Sequence, residues 1–259
     1  MNALFKICGT AAFLALTAVA VRADDRERRI LESATDAAAS LADSPLRCIP
    51  PALMHDAAGV AVIPHVVKAG FVFDGRFGRG VVLARRPDGT WSNPILMTLA
   101  GGGVGWQAGV ESTDVILIFK TRESLDRLMR GRDKITLGAD LAVAAGPIGR
   151  QAEADTDAQL KAEIFSYSHS RGLFLGASLE GAGLLIDRRA NEDFYGIRDG
   201  RPADVLALPA SEAEEVFRLK DRLMEMSGTP PAGPPVLLTP QPSPFPPPPA
   251  PVPPPRERP

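Results

Sequence analysis

The sequence is poor in the residues that most often carry chemistry. Its 259 residues include two cysteines, three histidines and two tyrosines. Cys8 falls in the N-terminal apolar run, which leaves Cys48 as the lone thiol of the body, so no internal disulfide framework is expected. Beside Pro50 and Pro51, Cys48 reads as a small buried hydrophobe. His55, His65 and His169 occur without an HExxH motif or paired cysteines, so no zinc site is expected. Ser166-Tyr167-Ser168-His169-Ser170 holds nucleophile and base types, but neighbours along an extended chain point to opposite faces, and there is no nucleophile elbow. The acidic group Glu153, Asp155 and Asp157 lacks the glycine and terminal glutamate of a calcium hand. The reading is of a chain with no catalytic residues, no metal and no cofactor.

Charge of one sign is lacking too. Lysine and arginine number 29 against 31 acids, for a formal net charge of -2 and a pI near 6.0. Such a chain is no bulk electrostatic binder, and no nucleic-acid partner is expected. An anionic ligand must be captured by a local basic patch. Also absent is an uninterrupted run of about 20 apolar residues long enough to span a bilayer. Residues 1–23 instead read as a secretory signal, with Lys6 as the charged start, Ile7 to Ala20 as the apolar stretch and Val21-Arg22-Ala23 as the cleavage site. The expectation is an exported protein, periplasmic or extracellular and peripheral to a membrane.

Glycine and proline, by contrast, are abundant and segregated. The stretch WSNPILMTLAGGGVGWQAG, Trp91 to Gly109, sets glycines between strongly β-forming flanks. Glycine weakens a strand and persists where a sheet bends, bulges or meets another backbone closely. A nucleotide loop is the alternative, yet Gly103-x-Gly105-x-x-x-Gly109 misses the dinucleotide fingerprint by one residue, and no Lys-Ser or Lys-Thr follows. Of the 25 prolines, 16 lie in residues 230–259. That composition predicts a disordered, polyproline-II-like tail over 229–259, which at about 3.1 Å per residue reaches roughly 90 Å. It includes an SH3-ligand pattern, Pro251-x-x-Pro254-x-Arg256.

Between these ends, apolar spacing predicts an amphipathic helix from Asp24 to about Ala42 and a short helix opened by Pro50 and Pro51. Strands are expected at Val60–Ile63, Ala69–Asp74, Gly80–Arg85, Ile95–Ala100, Gly103–Val110 and Val115–Phe119, with turns at Asp74-Gly75 and Pro87-Asp88-Gly89. A helix follows at Ser124–Arg130. Thr136–Ala145 alternates, Ala162–Ser168, Leu173–Glu180 and Leu184–Asp187 read as strands, and Ser211-x-x-Glu214 reads as a capping box opening a helix that Gly228 closes. The fold class expected is α+β: a curved, mainly antiparallel sheet or partial barrel with packed helices.

Two basic clusters are the candidate binding residues. Lys120 to Lys134 holds six cations against three acids, and Arg127 and Arg130, three apart on a helix, share a face with Arg132 and Lys134 just beyond. Arg26, Arg28 and Arg29 lie on the first helix among Asp24, Asp25 and Glu27. Basic residues near an anionic lipid surface contribute on the order of 1 kcal/mol each, so either cluster suits reversible attachment.

The blocks AAGVAVIPHVVKAGFVFDGRFGRGVVLAR, GTWSNPILMTLAGGGVGWQAGVESTDVILIF and KITLGADLAVAAGPIGRQAEADTDAQLKAEIFSYSHSRGLFLGASLEGAGLLIDRRANEDFYG occur in this order. Together they resemble the SYLF domain, from about Arg29 to Gly196. The resemblance implies a non-enzymatic module over 24–228 that binds anionic phospholipid or phosphoinositide headgroups. It further implies association with actin in yeast members, and a basic N-terminal helix to which Arg26, Arg28 and Arg29 correspond. The alternative is a structural envelope or scaffold protein tethered to envelope proteins or cell-wall polymer through its proline-rich tail.

Overall fold

The computed structural model describes residues 25–43, 49–70, 73–104, 109–130, 134–146, 161–170, 179 and 181–228. Helix α1 covers 25–42 and α2 Pro51–Asp56. Four long strands follow: β1 Gly59–Gly70, β2 Phe73–Ala84, β3 Ile95–Val104 and β4 Gly109–Phe119. Then come α3 Arg122–Met129, the short strands β5 Ile135–Thr136 and β6 Val143–Ala145, β7 Ile164–Ser170 and β8 Gly183–Ile186. Helices α4 Arg188–Tyr195, α5 Pro202–Ala207 and α6 Glu214–Met226 complete the described chain.

The eight strands form one sheet in the order β5-β8-β3-β2-β1-β4-β7-β6. Every pairing is antiparallel except β6 with β7, which is parallel. The sheet curls into a half-barrel, so the α+β expectation holds. Its sharpest irregularity lies in β1. There Ile63 pairs with Val115 and Val66 with Thr113, so Pro64 and His65 oppose the single residue Asp114. His65 takes a left-handed φ of 49°, and its N–H donates to Oδ1 of the buried Asp114 at 2.8 Å. A bulge of this kind bends a strand and increases its twist. Strand β2 accommodates the bend with glycine: a Cβ at Gly80 would sit 2.2 Å from the Val62 carbonyl oxygen. Gly101 in β3 does the same for the approach to β8, where a Cβ would lie 2.9 Å from Ala182 Cα.

Each face of the sheet carries its own core. On one, called the α1 face, Val60, Val62, Val81, Leu83, Leu96, Ile116 and Ile118 pack beneath Leu31, Ala34, Ala38 and Leu41 of α1 and Val216, Leu219 and Leu223 of α6. On the other, the α3 face, Ala61, Ile63, Val82, Ile95, Met97, Val115, Leu117 and Phe119 meet Leu125 and Leu128 of α3 and Val205 of α5. Residues 59–63 and 115–119 are therefore buried on both sides, which is why they read as unbroken apolar runs rather than alternation. Polar clasps fasten the helices. Asn191 of α4, fully buried, accepts from Leu96 N at 2.8 Å and donates to Leu96 O at 3.2 Å. Arg85 stacks 4.0 Å over Trp91 and donates to Met54 O at 2.6 Å and Ser227 Oγ at 3.0 Å, which joins β2 to α2 and the end of α6.

Several local expectations need correction. The separate strands Val60–Ile63 and Ala69–Asp74 are not separate: the first and the start of the second belong to β1, continuous through its bulge. Asp74-Gly75 is no turn, because Asp74 pairs with Gly70 and Gly75 with Ala69 inside the ladder. Glu214 opens α6, but the N-cap is Ala213 without a side-chain cap, and Ser211 instead uses its N–H on Asn93 Oδ1 at 2.9 Å. Thr136–Ala145 divides into β5 and β6. The signal at 1–23, the tail at 229–259, Arg132 and, but for Leu179, the strand at Leu173–Glu180 lie outside the described residues.

Candidate functional site

The basic run 120–134 does not act as one patch. Thr121 caps α3 by accepting from Ser124 N at 3.2 Å, and Leu125 and Leu128 turn inward, so Arg127 emerges toward the β5–β6 and β7 side. There it donates to Asp140 O at 2.9 Å and pairs with Glu123 at 3.1 Å and Glu163 at 3.6 Å. Arg127 is thus neutralised within the fold. Arg130, at the helix end, is exposed, as is Lys134, and neither carries a hydrogen bond or ion pair among the described residues. Lys134 reaches around the sheet edge: a Cβ on Gly183 would lie 1.8 Å from Lys134 Cε. Gly183 pairs with Ala100 and Ala100 with Phe77. Directly opposed residues share a face, so Lys134 lies over the α1 face, whereas α3 packs on the other.

The second cluster divides in the same way. Arg28 makes a two-pronged bond to Glu215 of α6, at 2.9 and 3.0 Å. Arg26 and Arg29 are exposed. Glu27 between them is 4 % exposed, and its Oε2 has no hydrogen-bond partner. Burial, reinforced by the carboxylates of Asp193 and Asp187, raises its pKa above the ordinary value against the pull of its own backbone N–H and Arg26. That coupling also locates the start of α1 beside Asp187, the residue that follows β8. Arg26, Arg29 and Lys134 are exposed cations on the α1 side of the sheet.

Sequence reasoning passed over Arg85 and Arg86, which join Arg122 of the 120–134 run in a third basic group. Arg85, Arg86 and Arg122 line a cleft of about 210 Å³ with Asp126. Arg85 is committed to the clasp above, and Arg122 donates to Arg85 O at 3.1 Å. The adjacent arginines before the Pro87-Asp88-Gly89 turn were the available signal. Among the histidines, His55 is exposed and bonded to Asp56 at 2.9 Å, and His65 serves the bulge. No three His, Cys, Asp or Glu residues converge as a metal set among the described residues, nor is any described helix long and apolar enough to cross a membrane.

The fold is thus a curled half-barrel with helices on both faces, with Arg28, Arg85 and Arg127 bound internally and Arg26, Arg29, Arg130 and Lys134 exposed. The comparisons give the family. A family model described as "Las17-binding protein actin regulator" (Ysc84) matches residues 100–226. The chain is 38% identical over 186 residues to SH3 domain-containing YSC84-like protein 1 of Xenopus laevis, covering 71% of this chain and 55% of that protein. It is 47% identical over 150 residues to Protein YSC84 of Saccharomyces cerevisiae, covering 57% and 32%. The human SH3 domain-containing YSC84-like protein 1 is 37% identical over 187 residues, covering 71% and 54%. No solved structure matches. The chain belongs to the SYLF (Ysc84) family, and it spans about half the length of these vertebrate relatives and a third of the yeast one.

This family is of the actin-regulator, adaptor type rather than one of enzymes. The expectation of an exported, periplasmic or extracellular protein is overturned by the same finding. The relatives are yeast and vertebrate proteins, and the matching family is named for regulating actin, a polymer of the cell interior. The error lay in weight given to Ile7–Ala20. A short apolar run behind one lysine has the composition of an export signal, but composition alone does not establish export.

Proposed function

We propose that this domain is a non-enzymatic module that binds anionic phospholipid headgroups reversibly. The observation that carries the reading is the sorting of its cations. Arg28 and Arg127 are held by acids of the fold, while Arg26, Arg29, Arg130 and Lys134 stand exposed without ion pairs among the described residues. At about 1 kcal/mol per cation near an anionic surface, the three on the α1 side, Arg26, Arg29 and Lys134, give weak attachment that salt reverses. Co-sedimentation with vesicles tests this: binding should rise with the anionic lipid fraction and fall with salt, and indifference to both removes the proposal.

A second reading is a protein scaffold acting through the proline-rich tail. It is supported by relatives named for SH3 domains and for binding Las17, together with Pro251-x-x-Pro254-x-Arg256, a pattern that fits SH3 grooves. Deleting residues 229–259 separates the two, since lipid binding should survive and SH3 capture should vanish.

A further inference from the structure

We propose that the bare distal part of the α1 face is the surface that enters the interfacial layer of an anionic bilayer. This rests on the lipid-binding reading above and gives it a location the two basic clusters did not. Among the described residues, five large apolar side chains are exposed: Val67 43%, Phe77 50%, Val110 80%, Leu185 38% and Phe217 67%. Four of them lie on this one face. The register puts Ser112, Val67, Phe77, Ala100 and Gly183 directly opposite one another across five strands. Val110, Ala69, Gly75 and Gly102 form the next row toward the hairpin ends. Arg79, Thr98 and Leu185 form the row toward the helices. With strands about 4.8 Å apart, five of them make a surface roughly 20 Å wide.

Between the large side chains and Arg79 the rows are filled by glycine, alanine, serine and threonine, small residues that leave few side chains to wall a peptide groove. The opposite face of these segments carries Lys68, Arg76 and Glu111 instead. The sheet here is amphipathic across its thickness, as an interfacial helix is around its axis. Its rim is cationic: Arg79 sits 5.9 Å from the Phe77 ring centre, Lys134 crosses Gly183, and Arg26 and Arg29 are exposed at the start of α1, which packs on the same face. Asp114, next along β4 on the same face, is buried and engaged by His65 N–H. A second copy docked face to face would bring two cationic rims together, whereas an anionic bilayer pairs them. Charge complementarity therefore selects the membrane.

The test uses the full chain on vesicles of phosphatidylcholine alone or mixed with phosphatidylserine. The Phe77→Ser/Val110→Ser pair should keep the melting temperature and bind mixed vesicles about tenfold or more weakly, from the apolar area lost. Should the pair fail to fold, Val110→Ser alone, at the most exposed position, should still weaken binding. In Phe77→Trp, the difference spectrum against the parent should shift to the blue on mixed vesicles and be quenched by brominated acyl chains. A parent that binds, with both serine variants equal to it and the added indole remaining in water, overturns this surface and leaves the headgroup reading standing. A parent that ignores mixed vesicles sinks both. A parent that dimerises in sedimentation, with the serine pair monomeric, gives the face to a second copy and overturns the proposal.

Discussion

Strands β1 to β4 are two different objects at their two ends. Beside the helices, residues 59–63, 80–84, 95–97 and 115–119 are buried, mostly on both faces. Beyond the bulge at Pro64 and His65, the same strands carry exposed Val67, Ala69, Gly75, Phe77 and Val110 on one face and charge on the other. The same strands run through the boundary, their ladders shifting register only at the bulge, so strand membership does not distinguish the two ends. What differs is cover: α1 and α6 stop where the bulge begins to bend the sheet. One end holds the fold together and the other is free to serve function. Substitutions at matched positions should then give opposite results.

The largest contrast is at a buried branched residue. Ile116 is fully buried between α1 and the sheet, and Ile116→Ala should cost about 2–5 kcal/mol, read as a lower denaturant midpoint with an unchanged slope. A cost below about 1 kcal/mol would mean that the proximal half is not the core. The next contrast lies within β2. Gly80→Ala drives a Cβ into the Val62 carbonyl oxygen, which is backbone and cannot swing away, so a loss of about 1–3 kcal/mol is expected. Five residues earlier, a Cβ on Gly75 meets nothing within 4 Å. Gly75→Ala should be neutral or stabilise by up to about 1 kcal/mol, because glycine has more freedom to lose on folding. Equal effects at the two glycines would erase the boundary.

Much of this was legible in the sequence. Doubly buried strands announce themselves as apolar runs, and the glycines near Gly101 signalled a curved sheet. The α1 stripe Leu31, Ala34, Ala38 and Leu41 showed which side of that helix packs. Other features were not legible because they depend on partners far along the chain. Arg127 and Arg130 look alike on a helical wheel but for Glu123 beside the first, and Asp140 and Glu163, 13 and 36 positions from Arg127, complete the set that makes it structural and leaves the other free. The bulge is hidden because His65 is stabilised by Asp114, 49 positions away. Helix α4 follows Asp187, whose side chain accepts from Ala190 N at 3.1 Å, and ends at the left-handed Gly196. Those caps were readable and were passed over. The exposed apolar face was invisible for a different reason: strand alternation gives the two faces, but not which one the helices leave uncovered.

The two smallest effects bear on the margin between the halves. Glu27 is buried at the start of α1 with its pKa raised chiefly by that burial. A folded carboxyl that holds its proton more tightly than the unfolded one loses stability as pH rises from the ordinary carboxylate range through its folded value. Glu27→Gln should therefore be more stable than the parent at neutral pH, with the difference fading below about pH 4; a difference that grows on acidification would reverse the assignment. Val110, 80% exposed, should show the least of all. Val110→Ser removes no core contact, so thermal unfolding should move by an amount equivalent to within about 0.5 kcal/mol. That silence is informative because Val110 belongs to a contiguous exposed apolar patch, and such patches mark interaction sites where single exposed side chains do not. A clear loss of stability at Val110 would mean that the distal strands are packed after all, and the division of the sheet into a core end and a working end would fail with it.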